Sequence, residues 1–329
     1  MNRPDFTHIP KRNASLEWPT LAMIFACYAL WTLAGLFMAP SAPISAILVM
    51  AVCVAMHSSL QHEIMHGHPT RNALLNEALV FLPLGLAYPY RRYKVTHMQH
   101  HRDERLTDPY DDPESYYLAQ QDWQSLHPWV KRMLRINSTL LGRMVLGPAI
   151  GVTGFLRSEW PKLRSDADVR QAWLLHFVGM IPVFLIVQIG FGLPFWLYAL
   201  VPAYIGLSII GVRTYCEHQW FEDPDGRTII VENSLLSILF LYNNLHIVHH
   251  KLPTVAWYHL PRLYQDKKDD WQKLNKGYVF PNYLAIFRSF ALKAKEPNIH
   301  PALYRGGHAT EQDAQPAEAV DLKPTRVSS

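Results

Sequence analysis

Residues 43–66 read PISAILVMAVCVAMHSSLQHEIMH. The run is apolar and uncharged to Met56, turns polar, and ends on His62 and His66. Ile44–Met56 alone is 13 residues, short of the about 20 that a membrane-spanning helix needs. The same helix becomes long enough if it starts near Pro43 and runs on through Gln61. Its far end then carries His62 and His66, whose i, i+4 spacing puts both imidazoles on one helical face. Imidazole is the commonest protein ligand for metals. The stretch therefore reads as a membrane span that delivers a ligand pair at its aqueous end.

Working outward, three more apolar runs match it. Leu21–Ala39 carries no charge, and Ala172–Phe191 and Leu193–Val212 carry none apart from His176. Only Pro40–Ile44 separates the first pair of runs and Gly190–Pro194 the second, so both pairs read as hairpins. Arg3, Lys11, Arg12, Arg71, Arg91, Arg92, Lys94 and Arg213 all lie at the opposite ends. The positive-inside rule then puts both termini and the polar segments in the cytoplasm. The expected fold is an all-α integral membrane protein with four spans, about 21–39, 43–61, 172–191 and 193–212. A cytoplasmic helical cap, residues 62–171 and 213–299, completes a single domain, followed by a disordered tail over 300–329. Two further apolar stretches, Ala78–Tyr90 and Leu140–Phe155, would separate histidine clusters across the membrane if either spanned alone. Both are expected to be re-entrant or interfacial helices, broken by Pro83, Gly85 and Pro89 in the first and weakened by Arg143, Gly147, Pro148, Gly151 and Gly154 in the second.

The histidines cluster three times: His62-Glu63-Ile64-Met65-His66, His97-Met98-Gln99-His100-His101 and His246-Ile247-Val248-His249-His250. With 17 histidines in 329 residues, one H-x-x-H-H is expected by chance roughly 0.05 times and two roughly 0.001 times, the false-positive arithmetic a motif requires. Each H-x-x-H-H is expected to present its three imidazoles together on one helical turn. Eight clustered ligands exceed the four of a tetrahedral zinc site. His218, just past the fourth span, is a ninth candidate. Imidazole accepts iron, zinc, copper and nickel, and this ligand number favours a pair of irons. Side chains that orient the imidazoles are sought in Glu63, His68, Asp108, Asn243 and Asn244, with an exposed, Pro-punctuated turn as the competing reading for Asp108–Glu114.

These motifs, from Leu21 to Tyr264, resemble the membrane fatty-acid desaturase and hydroxylase superfamily. The resemblance implies a di-iron centre facing the cytosol, held by His62, His66, His97, His100, His101, His218, His246, His249 and His250. It implies dioxygen as co-substrate and removal of hydrogen from an aliphatic lipid chain, with fatty acyl desaturation expected first and lipid, alkane or carotenoid hydroxylation or ketolation as the alternative. Box one has three residues between its histidines where some desaturases have four, a form shared with hydroxylases and ketolases.

Composition narrows the rest. Hydrophobic residues make up 49% and charged residues 18%, below the roughly 25% charged of a soluble domain. No G-x-G-x-x-G opens a βαβ unit and Cys27, Cys53 and Cys216 are scattered. Neither a bound nucleotide, a haem nor an iron–sulfur cluster is expected, so electrons must come from an external donor such as a ferredoxin. Arg91-Arg92-Tyr93-Lys94 is a candidate docking segment for it, with membrane anchoring as the competing reading. A net charge of +4 gives no support for nucleic-acid binding. His62-Glu63-x-x-His66 also matches the zincin pattern, with Glu63 as general base, but a membrane zinc metalloprotease leaves both H-x-x-H-H clusters without a role.

Overall fold

The computed structural model describes residues 16–303. Among the described residues fourteen α-helices run in order: α1 (Trp18–Leu33), α2 (Pro43–Met65), α3 (Ala73–Leu79), α4 (Tyr90–His100), α5 (Gln120–Ser125), α6 (Pro128–Asn137), α7 (Leu140–Ser165), α8 (Ala167–Leu185), α9 (Phe195–Tyr198), α10 (Tyr204–Glu217), α11 (His246–Lys251), α12 (Leu260–Asp266), α13 (Lys268–Leu274) and α14 (Tyr283–Phe290). Wider π-turns extend α1 over Ala34–Met38 and α8 over Ile186–Gly190, and a third, Ala199–Ala203, joins α9 to α10 around Pro202. Proline has no N–H for the ladder, and such turns are one way a helix absorbs that loss.

Five of these helical stretches are long and apolar enough to cross a membrane: Trp18–Met38, Pro43–Met65, Leu140–Ser165, Ala167–Gly190 and Phe195–Glu217. They suggest an integral multi-pass membrane protein. Large apolar side chains remain exposed along them, including Phe25, Leu48, Leu174, Phe177, Ile181 and Leu200, as expected of a surface that lipid covers. α2 starts on Pro43 and runs unbroken to Met65, so the apolar stretch and the first histidine pair do share one helix. Gly67 follows at φ +95°, the left-handed conformation that stops a helix without a Cβ clash. α10 packs so closely on α2 that a Cβ on Gly206 would lie 2.9 Å from the Ala51 carbonyl oxygen.

The helix expected over Leu140–Phe155 is present and longer: Leu140–Ser165 runs for 26 residues through Pro148 and Pro161. Three other expectations change. Residues 80–89 are not helical: Val80 and Leu84 are fully buried in a loop. The Leu84 carbonyl accepts from the Tyr198 hydroxyl (2.9 Å) and the Leu86 carbonyl lies 2.9 Å from His176 Nε2. Irregular backbone among membrane helices survives only when protein groups satisfy it, which is what these two side chains do. The fold is also not purely helical. Ile230–Val231 pairs in parallel with Val279–Phe280, and Asn244 clamps the other side through Val231 N to Asn244 O (2.8 Å) and Asn244 Nδ2 to Val231 O (2.7 Å). At the C-terminal end, His300 is buried and its N–H donates to the Leu118 carbonyl at 2.9 Å, so the expected tail does not begin at His300. The tail expected beyond 303, and the N-terminal Arg3, Lys11 and Arg12, lie outside the described residues.

α4, which carries the second histidine box, is fixed to α7 by a buried ion pair. Arg92 Nε and Nη2 donate to Glu159 Oε2 and Oε1 at 2.6 and 2.9 Å. A buried charge stranded by loss of its partner costs about 3–5 kcal/mol. Arg92→Met is therefore expected to lower unfolding stability in detergent by that order, and Arg92→Met combined with Glu159→Leu by clearly less than the single change. Equal losses in thermal or denaturant unfolding would show that the pair is not what holds α4.

Candidate metal centre

The nine histidines expected as ligands come together in two groups. His62, His66, His97, His101 and His249 form one; His100, His218, His246 and His250 form the other. Within each group one nitrogen per ring lies within 4.8 Å of all the others. The two groups meet through adjacent residues, since His100 and His101 diverge into different groups, as do His249 and His250. The expectation of three imidazoles on one face is thus corrected. In each H-x-x-H-H the first and fifth residues serve one group and the fourth serves the other. Positions i+3 and i+4 sit about 100° apart around a helix of 3.6 residues per turn, so they flank the first residue and separate at its tip.

Different local structure aims each ring. His62 is in the last turn of α2 and His66 is its C-cap. His97 and His100 close α4, and His101 is its C-cap. His218 follows α10 in extended backbone, φ −127° and ψ 151°. His246, His249 and His250 ride the short α11, whose start is tied to the small sheet by Ile247 N to Ile229 O at 3.3 Å.

Neighbouring side chains decide which nitrogen carries the proton. His97 Nδ1 donates to Glu114 Oε1 at 2.9 Å and His100 Nδ1 to Asp112 Oδ1 at 2.8 Å, because an ionised carboxylate only accepts. His246 Nδ1 donates to Asn243 Oδ1 at 3.0 Å, and the Asn243 amide donates to Glu217 at 3.0 Å. Arg213 pairs with Glu217 at 2.8 Å. With Nδ1 protonated, each of these rings turns Nε2 inward: a bare lone pair on His97 and His246, and on His100 the nitrogen whose proton a metal ion would displace. His100 Nε2 and His246 Nε2 lie 2.9 and 3.0 Å from His218 Nε2. His66 Nε2 and His101 Nε2 lie 3.1 and 2.9 Å from His97 Nε2. One ring nitrogen on His218 can share a proton with at most one of these two neighbours, and buried His62 Nε2 has no hydrogen-bond partner at all. Convergent lone pairs at this spacing repel unless a cation sits among them, so the residues present fit metal ions.

The electrostatics agree. Burial pushes the imidazoles of His246, His249 and His250 well below their usual range, and neighbouring imidazoles push the same way. These rings are neutral and ready to coordinate. Burial also lowers His97, against the pull of Glu114. His100 goes the other way: burial lowers it, but Glu114 and the Asp112 hydrogen bond outweigh that and hold it up at about 9. Asp112 keeps 2% of its side chain exposed and Glu114 31%, so Asp112 is the less screened of the two.

The supporting residues differ partly from those sought in the sequence. Asn243 is in place. Asn244 instead clamps the sheet. Asp108 accepts from the N–H groups of Tyr110 and Asp111 and serves as a turn. The carboxylates on the imidazoles are Asp112 and Glu114, four and six residues further on, in the segment whose competing reading was an exposed turn. Glu63 and His68 join buried Glu17 in a separate cluster: His68 Nδ1 lies 2.7 Å from Glu17, and Glu63 accepts from the Trp257 N–H at 3.1 Å. Glu63 is thus not placed as a base at either group, against the zincin reading. His57, a structural histidine, meets the Tyr28 hydroxyl at 3.0 Å and ties α2 to α1.

Residues 39–282 match the family described as Fatty acid desaturase, which covers most of the chain and all nine histidines. The chain belongs to the fatty acid desaturase family. No curated protein matches it. As a member of that family it is an enzyme, and its two histidine groups are able to hold metals.

Asp112→Asn is expected to weaken metal binding at the four-imidazole group of this desaturase-family protein by about 10–100-fold, the usual cost of losing a carboxylate behind a ligating histidine. The pH dependence has a definite sign. A metal ion must displace the proton that His100 holds up to about pH 9, so affinity rises with pH to that point and then levels off. Metal titrations at stepped pH test this, and a flat profile between about pH 7 and the point near 9 where His100 gives up its proton contradicts it.

Proposed function

We propose that this chain is a dioxygen-dependent di-iron oxidoreductase that introduces a double bond into a fatty acyl chain. The observation that carries the reading is the convergence of nine imidazoles into two groups. A di-iron pair held by these nine residues would supply reductive activation of dioxygen and attack on an unactivated C–H bond, chemistry that belongs to the cofactor. The chain's own part is to keep most of the rings neutral by burial and to fix the tautomers of His100, His97 and His246 through Asp112, Glu114 and Asn243.

Membrane placement follows from parity. Three candidate spans separate His100 from His218, yet the two rings lie 2.9 Å apart. Three full crossings would put them on opposite faces, so one of the three does not cross. α7 is the least apolar and carries Arg143, Arg157, Glu159, Lys162 and Arg164. Arg143 near its start lies over the rings of Tyr116 and Tyr215, and Glu159 near its end holds α4. Those points are about 24 Å apart along the helix, yet both engage elements that carry or adjoin the histidine boxes. This supports α7 lying along the interface, with four spans and the site on the cytosolic, positive side.

An external electron donor, such as a ferredoxin, completes the reaction. Arg91 and Arg92 are engaged inside the chain with Glu77 and Glu159, which weakens Arg91–Lys94 as its docking segment.

The test is mass spectrometry of lipids from cells with and without the protein. A product lacking two hydrogens, absent with His100→Ala, is the expected result. A product that gains an oxygen assigns hydroxylation instead, and wild-type lipid oxidation by His100→Ala overturns the catalytic centre.

A further inference from the structure

His218 is the one member of the two groups that belongs to no histidine box and no helix. α10 ends at Glu217, and the carbonyls at a helix end have no partner within the helix. Here distant side chains supply the partners. The Tyr278 hydroxyl donates to the Cys216 carbonyl at 2.6 Å. The His218 carbonyl accepts from Lys295 Nζ at 2.6 Å, and the Tyr116 hydroxyl lies 3.1 Å from it. A cation at a helix C-terminus also meets the negative end of the helix dipole.

Lys295 is 8% exposed, and a buried ammonium is costly unless paired and hydrogen-bonded. It is both. Its Nζ lies 2.9 Å from Glu296 Oε2 and donates to the Tyr278 hydroxyl at 3.0 Å. Glu296 in turn accepts from the Trp220 N–H at 3.1 Å and meets the Tyr116 hydroxyl. The pair therefore grips the backbone on both sides of Gln219. The segment that carries it is anchored by Asn298 Nδ2 to Ser138 Oγ at 2.8 Å and by Leu118 N to Asn298 O at 2.8 Å. Lys295 lies beyond residues 39–282, the span that matches the family.

We propose that Lys295 is a positioning residue for the four-imidazole group: by fixing the His218 carbonyl it sets the ring that His100 and His246 face. The proposal rests on the reading of the two groups as a di-metal centre. Its test uses the full chain in detergent, stripped with a chelator and titrated anaerobically with Fe(II). Wild type is expected to take two equivalents, one of them lost in His246→Ala. Lys295→Met is expected to hold the first equivalent as wild type does and the second about tenfold or more weakly, the scale of effects from residues behind the ligands. Lys295→Arg is expected to recover part of that loss. Two equivalents held at wild-type affinity by Lys295→Met, equal weakening of both, or an arginine variant no better than methionine overturns the proposal and leaves the di-metal reading standing. Fewer than two equivalents in wild type overturns both. If Lys295→Met does not fold, Tyr116→Phe removes the other polar contact to the same carbonyl and strands no charge. It is expected to weaken the second equivalent severalfold, and a wild-type second equivalent overturns the proposal.

Discussion

Buried lone pairs pointed at one another are the constraint on which the structure depends. Asp112, Glu114 and Asn243 take the outer protons of His100, His97 and His246. The inner nitrogens are then left facing other inner nitrogens at about hydrogen-bond distance. An apolar interior makes that arrangement costly without a cation. Everything around it serves to hold the rings there: α2 running out of its apolar stretch, α4 pinned to α7 by Arg92 and Glu159, α11 seated on a two-stranded sheet, and His218 gripped from the C-terminal segment.

The alternation within H-x-x-H-H gives the two groups their relation. Box two sends His97 and His101 to the five-imidazole group and His100 to the four-imidazole group; box three sends His246 and His250 to the latter and His249 to the former. The repeated motif is thus a crossing device. Each copy contributes to both groups, so neither box can move without disturbing both.

Much of this was legible in the sequence because its signals are local. Apolar runs, their lengths and the spacing of His62 and His66 are read along one helix, and the nine histidines singled out in the sequence are those that gather into two groups. What was missed is what the chain brings together from a distance. Asp112 and Glu114 look like an ordinary Asp-Pro-rich turn until α4 folds back beside them. Residues 80–89 are apolar enough to pass for a helix, but Tyr198 and His176 satisfy their carbonyls from other segments. α7 reads as weakened because Arg143, Gly147, Pro148, Gly151 and Gly154 fall in its first half, whereas its flanks pack on α6, α8 and α10. Lys295 and Glu296 carry no motif at all; only the fold shows that they meet His218.

The most direct test of the central claim is the Mössbauer spectrum of the full-length chain loaded with iron. The account predicts two iron environments in equal amounts, both rich in nitrogen ligands and distinct from each other, because one group offers five imidazoles and the other four. A single iron environment at one ion per chain, or a chain that retains only zinc, would contradict it.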